Sequence, residues 1–198
     1  MSAPGPGAGG PARGLAGTGV ADNGVAGAGV AGNRGASVAA PGWAAPSFPE
    51  RALAIRRATS RLCGRLGWAP LHEVTLPNGR RADILALRPD GGFVCIEVKS
   101  GPRDFLVDLK WPEYRDFSDV LFFAVDTDFP RDLLPAETGL IVAAGLEADL
   151  LREAPSHPLP GARRRALLQR FASLAAGRLA ALEDPAGAAD LRMALRVE

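Results

Sequence analysis

The segment Phe93-Val94-Cys95-Ile96-Glu97-Val98-Lys99 places Val94, Ile96 and Val98 on one face of a strand and Cys95, Glu97 and Lys99 on the other. A carboxylate and an ammonium opposite a Val/Ile stripe are costly to bury unless they are paired or hold a ligand. Asp83, near the start of the preceding apolar segment, faces the same neighbourhood if the two strands pair across Pro89-Asp90-Gly91-Gly92. Two carboxylates and a lysine then converge. That set suits phosphodiester hydrolysis, because hard carboxylate oxygens hold one or two Mg²⁺ (or Mn²⁺) ions that bind phosphate and acidify a water. Asp83 and Glu97 are the expected metal ligands, with the Val98 carbonyl as a further one. Lys99 is expected to orient or deprotonate the water, or to neutralise charge developing on the phosphate.

The elements that must position these groups follow from periodicity and turn residues. Ser47-Phe48-Pro49-Glu50 reads as a capping box, which accounts fully for Glu50, and opens a helix with Ile55, Ala58, Leu62 and Leu66 on one face. Gly67 stops it. Strands are expected at Leu71–Leu76, Arg81–Leu87 and Phe93–Lys99, joined by Pro77-Asn78-Gly79 and Pro89–Gly92 as an antiparallel meander. A helix from Arg103 to Trp111, kinked at Pro112, leads into a doubly buried strand, Val120–Val125, expected to lie parallel to its neighbour. A hairpin (Leu140–Ala144, Ala148–Leu151) and a long helix from Ala162 to Leu182, with Leu167, Leu168, Phe171, Leu174 and Leu179 inward, complete an α/β order of αβββαβ plus appendages.

Residues 1–45 are almost entirely Gly, Ala, Pro and small polar residues, so a disordered tail is expected, followed by one domain over 46–185 and an extension over 186–198. Twenty-three Lys and Arg against 22 Asp and Glu give no global reason to expect a polyanion, so any such case rests on local charge. Cys63 and Cys95 lack metal-site spacing and read as reduced thiols. No run of about 18 apolar residues and no signal-like N-terminus are found, which predicts a soluble cytoplasmic protein without a membrane partner.

Asp83, thirteen residues, then Glu97-Val98-Lys99 within this element order resembles the PD-(D/E)XK nuclease superfamily, with Ala82 in place of the proline. More closely, RRADILAL, IEVKSGPRDFLVDLKWPEYRDFSD, LFFAV and ARRRALLQRFASLAAGRL resemble the MmcB-family DNA repair proteins of bacteria. The resemblance implies a restriction-endonuclease-like αβββαβ core with an appended β-hairpin and C-terminal helix, DNA and other repair proteins as partners, and a metal-dependent nuclease in DNA repair. The competing expectation is a nuclease-fold accessory protein that grips DNA with little or no turnover. Lys110 and Tyr114, four apart, resemble the Gln-plus-four-Tyr element that follows the acidic motif in some members, with Lys replacing Gln, and are expected either at the DNA backbone or at a capped, partly exposed helix end.

Other residues carry weaker signals. Glu73 either approaches the site from the first strand or is solvated, and Asp104 and Asp108, one helical turn apart, could bind a second metal but beside Arg103 and Lys110 read better as a solvated helix face. Arg163-Arg164-Arg165 opens the last helix, where cations oppose the macrodipole, and reads as a phosphate-binding patch or a solubilising one. Trp111 and Phe117 are more simply core than base-stacking platforms. His72 and His157 have no ligand partner in sequence.

Overall fold

The computed structural model describes residues 46–108, 110–188 and 190. The tail expected over residues 1–45 and most of the extension expected over 186–198 lie outside the described residues.

Helix α1 spans Phe48–Arg65. Glu50 accepts hydrogen bonds from the Ser47 backbone N–H at 2.8 Å and from its hydroxyl at 2.7 Å, so a side chain of the first turn satisfies a group the helix cannot. The helix stops where Gly67 takes φ +72°, a left-handed conformation that a Cβ would oppose. Ile55, Ala58 and Leu62 are buried against Ile84, Val94, Ile96 and Val98. Leu66, expected on the same stripe, is the C-cap residue and exposed.

Six strands follow: β1 Ala69–Thr75, β2 Arg81–Leu87, β3 Phe93–Val98, β4 Val120–Asp126, β5 Gly139–Ala144 and β6 Glu147–Arg152. They form one mixed sheet in chain order. β1, β2 and β3 are an antiparallel meander, β4 is parallel to β3, β5 is parallel to β4, and β6 returns antiparallel to β5. The expected hairpin is therefore continuous with the main sheet. Alternation along the strands gives α1 one face, and the other receives helix α3, Gly161–Glu183, through Leu167 and Phe171 packed with Leu85, Phe93, Cys95 and Leu121. The inward stripe of α3 is narrower than its sequence suggested, because Leu168 and Leu179 are exposed.

The β3 to β4 crossover also departs from expectation. Helix α2 covers only Pro102–Val107, and Asp108, at φ −91° and ψ 81°, leads the chain out of it. A 3₁₀ helix, Trp111–Phe117, takes over, with Pro112 in its first turn, where no backbone donor is needed. Both cysteines are free and buried. No helix among the described residues is long and apolar enough to cross a membrane.

Candidate functional site

The site begins where the sheet comes apart. β2 and β3 pair from Leu87↔Phe93 to Ile84↔Ile96 and then stop. Asp83 and Glu97 are next in register, and their side chains fill the opening. The Val98 N–H donates to Asp83 Oδ2 at 2.8 Å, and the Asp83 N–H donates to Glu97 Oε1 at 3.4 Å, a weak contact.

On the other flank, β1 and β2 pair at His72↔Ile84 and Val74↔Ala82, with no pairing between Glu73 and Asp83. Glu73 has φ +51°, a left-handed backbone that is strained for a residue with a long side chain. Strand alternation slips there: Leu71 and Val74, three apart, pack into one cluster, as do Ala82 and Leu85. Glu73, Asp83 and Glu97 thus lie in one row across three adjacent strands and face a cleft of about 380 Å³.

The cleft is walled by α1 through Pro49, Ala52, Leu53 and Arg56, and by the crossover through Asp104, Asp108 and Tyr114. Lys99 is 4% exposed and its Nζ donates to Asp108 Oδ2 at 2.6 Å. Burial would lower the Lys99 pKa, but the Asp108 carboxylate outweighs it and holds the ammonium above its ordinary range. Asp108 is correspondingly held low: burial would raise it, and the Lys99 hydrogen bond and charge prevail. Glu97 is pushed up to about 9, first by burial and then by the neighbouring Asp83 carboxylate. Asp83 is raised too, chiefly by burial, against the Val98 N–H and Lys99. Glu73 divides its oxygens between two guanidiniums, with Oε1 at 2.6 Å from Arg56 and Oε2 at 2.7 Å from Arg81.

The structure brings Asp83, Glu97, Val98 and Lys99 to one cleft. Glu73, weighed as solvated, also enters it. Asp108 does not lie on a solvated helix face, because α2 ends before it and the chain turns its carboxylate onto Lys99. Lys110 is exposed beyond the end of α2, while Tyr114 is 6% exposed in the 3₁₀ helix and donates its hydroxyl to the Arg81 carbonyl at 3.3 Å. Lys110 caps the 3₁₀ helix that carries Tyr114, and no continuous α-helix from α2 reaches either of them. The Arg163-Arg164-Arg165 triplet is not a single patch. Arg163 donates to the Asp116 carbonyl at 2.8 Å and stacks over Phe117, Arg164 is bound to Asp119, and Arg165 is exposed. All three lie outside the cleft wall. Trp111 and Phe117 pack against the core, and His72 and His157 meet Ser60 and Ser118.

Sequence reasoning missed Asp108, Arg56 and Arg81. Arg81 was readable, since it stands two before Asp83 on the same strand face. Arg56 carried no signal and Asp108 was read as solvated, because their places depend on how α1 and the crossover close over the sheet.

Among the described residues no three His, Cys, Asp or Glu side chains form a ready-made metal cage. Asp83 and Glu97 nonetheless fit a hard divalent cation. They are adjacent oxygen donors, and Glu97 has no strong hydrogen-bond donor while its neighbour's charge opposes its own. Mg²⁺ takes few protein carboxylates and keeps several waters, so two carboxylates and a backbone carbonyl suffice.

The whole folded region, from before α1 to beyond α3, falls within a match to the family model of DNA repair protein MmcB-like, over residues 42–186. Among solved structures the chain is similar to the SPO1766 protein of unknown function from Silicibacter pomeroyi, at 41% identity and a TM-score of 0.66, covering 69% of this chain and 94% of that one. No curated protein matches significantly. With the match spanning well over half its length, the chain belongs to the MmcB-like family of DNA repair proteins.

Proposed function

We propose that this DNA repair protein is a metal-dependent DNA phosphodiesterase of the PD-(D/E)XK type, with a restriction-endonuclease-like core. The observation that carries the reading is the opened ladder, where two carboxyl groups and a lysine are held in one cleft at the cost of regular sheet bonding. Asp83 and Glu97 hold the cation, with the Val98 carbonyl as a third oxygen. Bound there, Mg²⁺ or Mn²⁺ would polarise the phosphate and acidify a water. Lys99, kept as an ammonium by Asp108, serves as a donor that orients the water or a phosphate oxygen rather than as a base. The buried floor of the cleft limits competing solvent around these groups.

A second reading, a DNA-binding accessory protein with little or no turnover, is favoured by one contact. The 2.6 Å pair with Asp108 takes one of the three donors of the Lys99 ammonium and draws it away from a substrate. The full chain incubated with labelled single-stranded, duplex, flapped and branched DNA, in Mg²⁺, in Mn²⁺ and in chelator, distinguishes the two. Metal-dependent products that vanish in Asp83→Asn and Lys99→Ala support the nuclease. Binding without products in either metal supports the accessory protein.

A further inference from the structure

We propose that Arg56 and Arg81 form a subsite for a second backbone phosphate, beside the carboxylate pair, and that Glu73 fills this subsite as an internal stand-in when no strand is bound. The inference rests on the nucleic-acid reading of the cleft and names where the strand is gripped.

Glu73 presents one oxygen to each of two arginines, at 2.6 Å from Arg56 and 2.7 Å from Arg81, the bridging arrangement that a phosphate with several acceptor oxygens adopts between guanidiniums. All three side chains line the same cleft as Asp83, Glu97 and Lys99. Arg81 is two residues from Asp83 on β2, which separates their backbones by about 7 Å, on the scale of one nucleotide step along a strand.

Two further observations separate this cluster from an ordinary surface ion pair. The Glu73 backbone is left-handed, and Arg178 of α3 holds that peptide by donating to the His72 and Glu73 carbonyls at 2.5 and 3.2 Å, so the chain keeps a strained turn that swings the carboxylate between the arginines. Arg56 Nε, shielded from water, also has no hydrogen-bond partner, so Glu73 does not saturate the guanidinium. The Arg81 half of the pairing is the openable one, because the Arg81 side chain is 66% exposed and exposed pairs are weak, whereas Arg56, at 27%, stays half-buried as the fixed guanidinium.

Charge gives the displacement its direction. Five carboxyl groups and three cationic side chains line the cleft, and with Glu97 protonated at neutral pH the remaining acids still outnumber the cations while Glu73 stays in place, so the cleft does not attract a polyanion. As Glu73 swings out, both arginines become available to the incoming phosphate.

The test is fluorescence anisotropy of the full chain with a short labelled DNA duplex in chelator, across a KCl series. Glu73→Asn tolerates a left-handed backbone. It is expected to bind roughly ten-fold tighter than the natural protein, and Glu73→Asn/Arg81→Ala to lose that gain. Arg81→Ala alone is expected to lower the slope of log K against log salt by about one. Unchanged or weaker binding by a folded Glu73→Asn overturns the proposal. So does a Glu73→Asn that leaves DNA affinity unchanged and abolishes the Mg²⁺ shift in a thermal melt, since Glu73 is then a metal ligand. Should Glu73→Asn fail to fold, the Arg81→Ala slope decides, and an unchanged slope overturns the subsite. Because these arms contain no metal, tighter binding by Glu73→Asn without cleavage in Mg²⁺ keeps the subsite and sinks the nuclease. DNA binding by the natural protein that Glu73→Asn does not improve sinks the subsite alone.

Discussion

Two carboxyl groups in this domain are each 3% exposed, Glu97 at the open end of the β2/β3 ladder and Asp119 at the start of the β4 segment, and burial has opposite consequences for them. Asp119 is saturated. Oδ2 accepts from the Phe93 N–H at 2.7 Å, Oδ1 from the Leu159 N–H at 2.9 Å, and Arg164 donates to both oxygens at 2.6 and 2.8 Å. Burial alone would raise its pKa, but Arg164 and the two backbone donors prevail and hold it at about 2. Glu97 has one long contact and a like-charged neighbour, and it stands at about 9. The difference lies in partners rather than in burial. A carboxylate whose partners are all supplied by the fold ties elements together, here α3, β3 and the segment before α3. One whose partners are withheld is free for a ligand from outside.

That contrast predicts its own largest effect at the saturated site. Arg164→Ala strands a buried charge and should cost about 3–5 kcal/mol in denaturant unfolding, with or without Mg²⁺. A loss below about 1 kcal/mol would remove the distinction between the two carboxylates.

The next effect has the opposite sign. Glu97 has its folded pKa raised above the ordinary glutamate value of 4.5, so what it contributes is fully present below that value and is lost as pH rises through about 9. Glu97→Gln removes that titration. Metal-free melts of the two proteins should coincide near pH 4.5 and then diverge in favour of the variant, by on the order of 3 kcal/mol at pH 7. Asp119 works on the other flank, where its stabilisation is present above 3.8 and lost as pH falls through about 2. A variant that is uniformly less stable across this range would place Glu97 among the structural carboxylates.

The smallest effect concerns the arginines around the saturated site. Of the triplet, with Arg164 committed to Asp119, Arg163 and Arg165 are left to meet a phosphate, so Arg163→Ala/Arg165→Ala should lower the salt slope of DNA binding by two at most, with far less change in unfolding than Arg164→Ala. An unchanged slope returns both to a solubilising role.

Much of this architecture could be read before the fold. Alternation in Phe93–Lys99, the Gly-containing turns and the capping box are local signals, and β3, both hairpin turns and the start of α1 follow them. Asp83, Glu97 and Lys99 were legible for the same reason, being placed by strand period and turn length. What failed depends on long-range closure. A short α2 could not be told from a longer helix, because both read alike until the chain leaves the helix at Asp108. The exposure of Leu168 and Leu179 reflects how little of α3 the sheet covers. Nor does any residue near Glu73 announce a left-handed backbone, since that position is fixed by Arg56, Arg81 and Arg178 from three separate elements.

Whether Glu97 is held for a cation is read from thermal melts of the natural protein and Glu97→Gln at pH 7, each with and without saturating Mg²⁺. Four midpoints result. With a cation site at Glu97, the variant melts at or above the natural protein without metal, Mg²⁺ raises the natural protein by several degrees, and Mg²⁺ leaves the variant where it was. A variant that melts well below the natural protein without metal, with both responding equally to Mg²⁺, would contradict it.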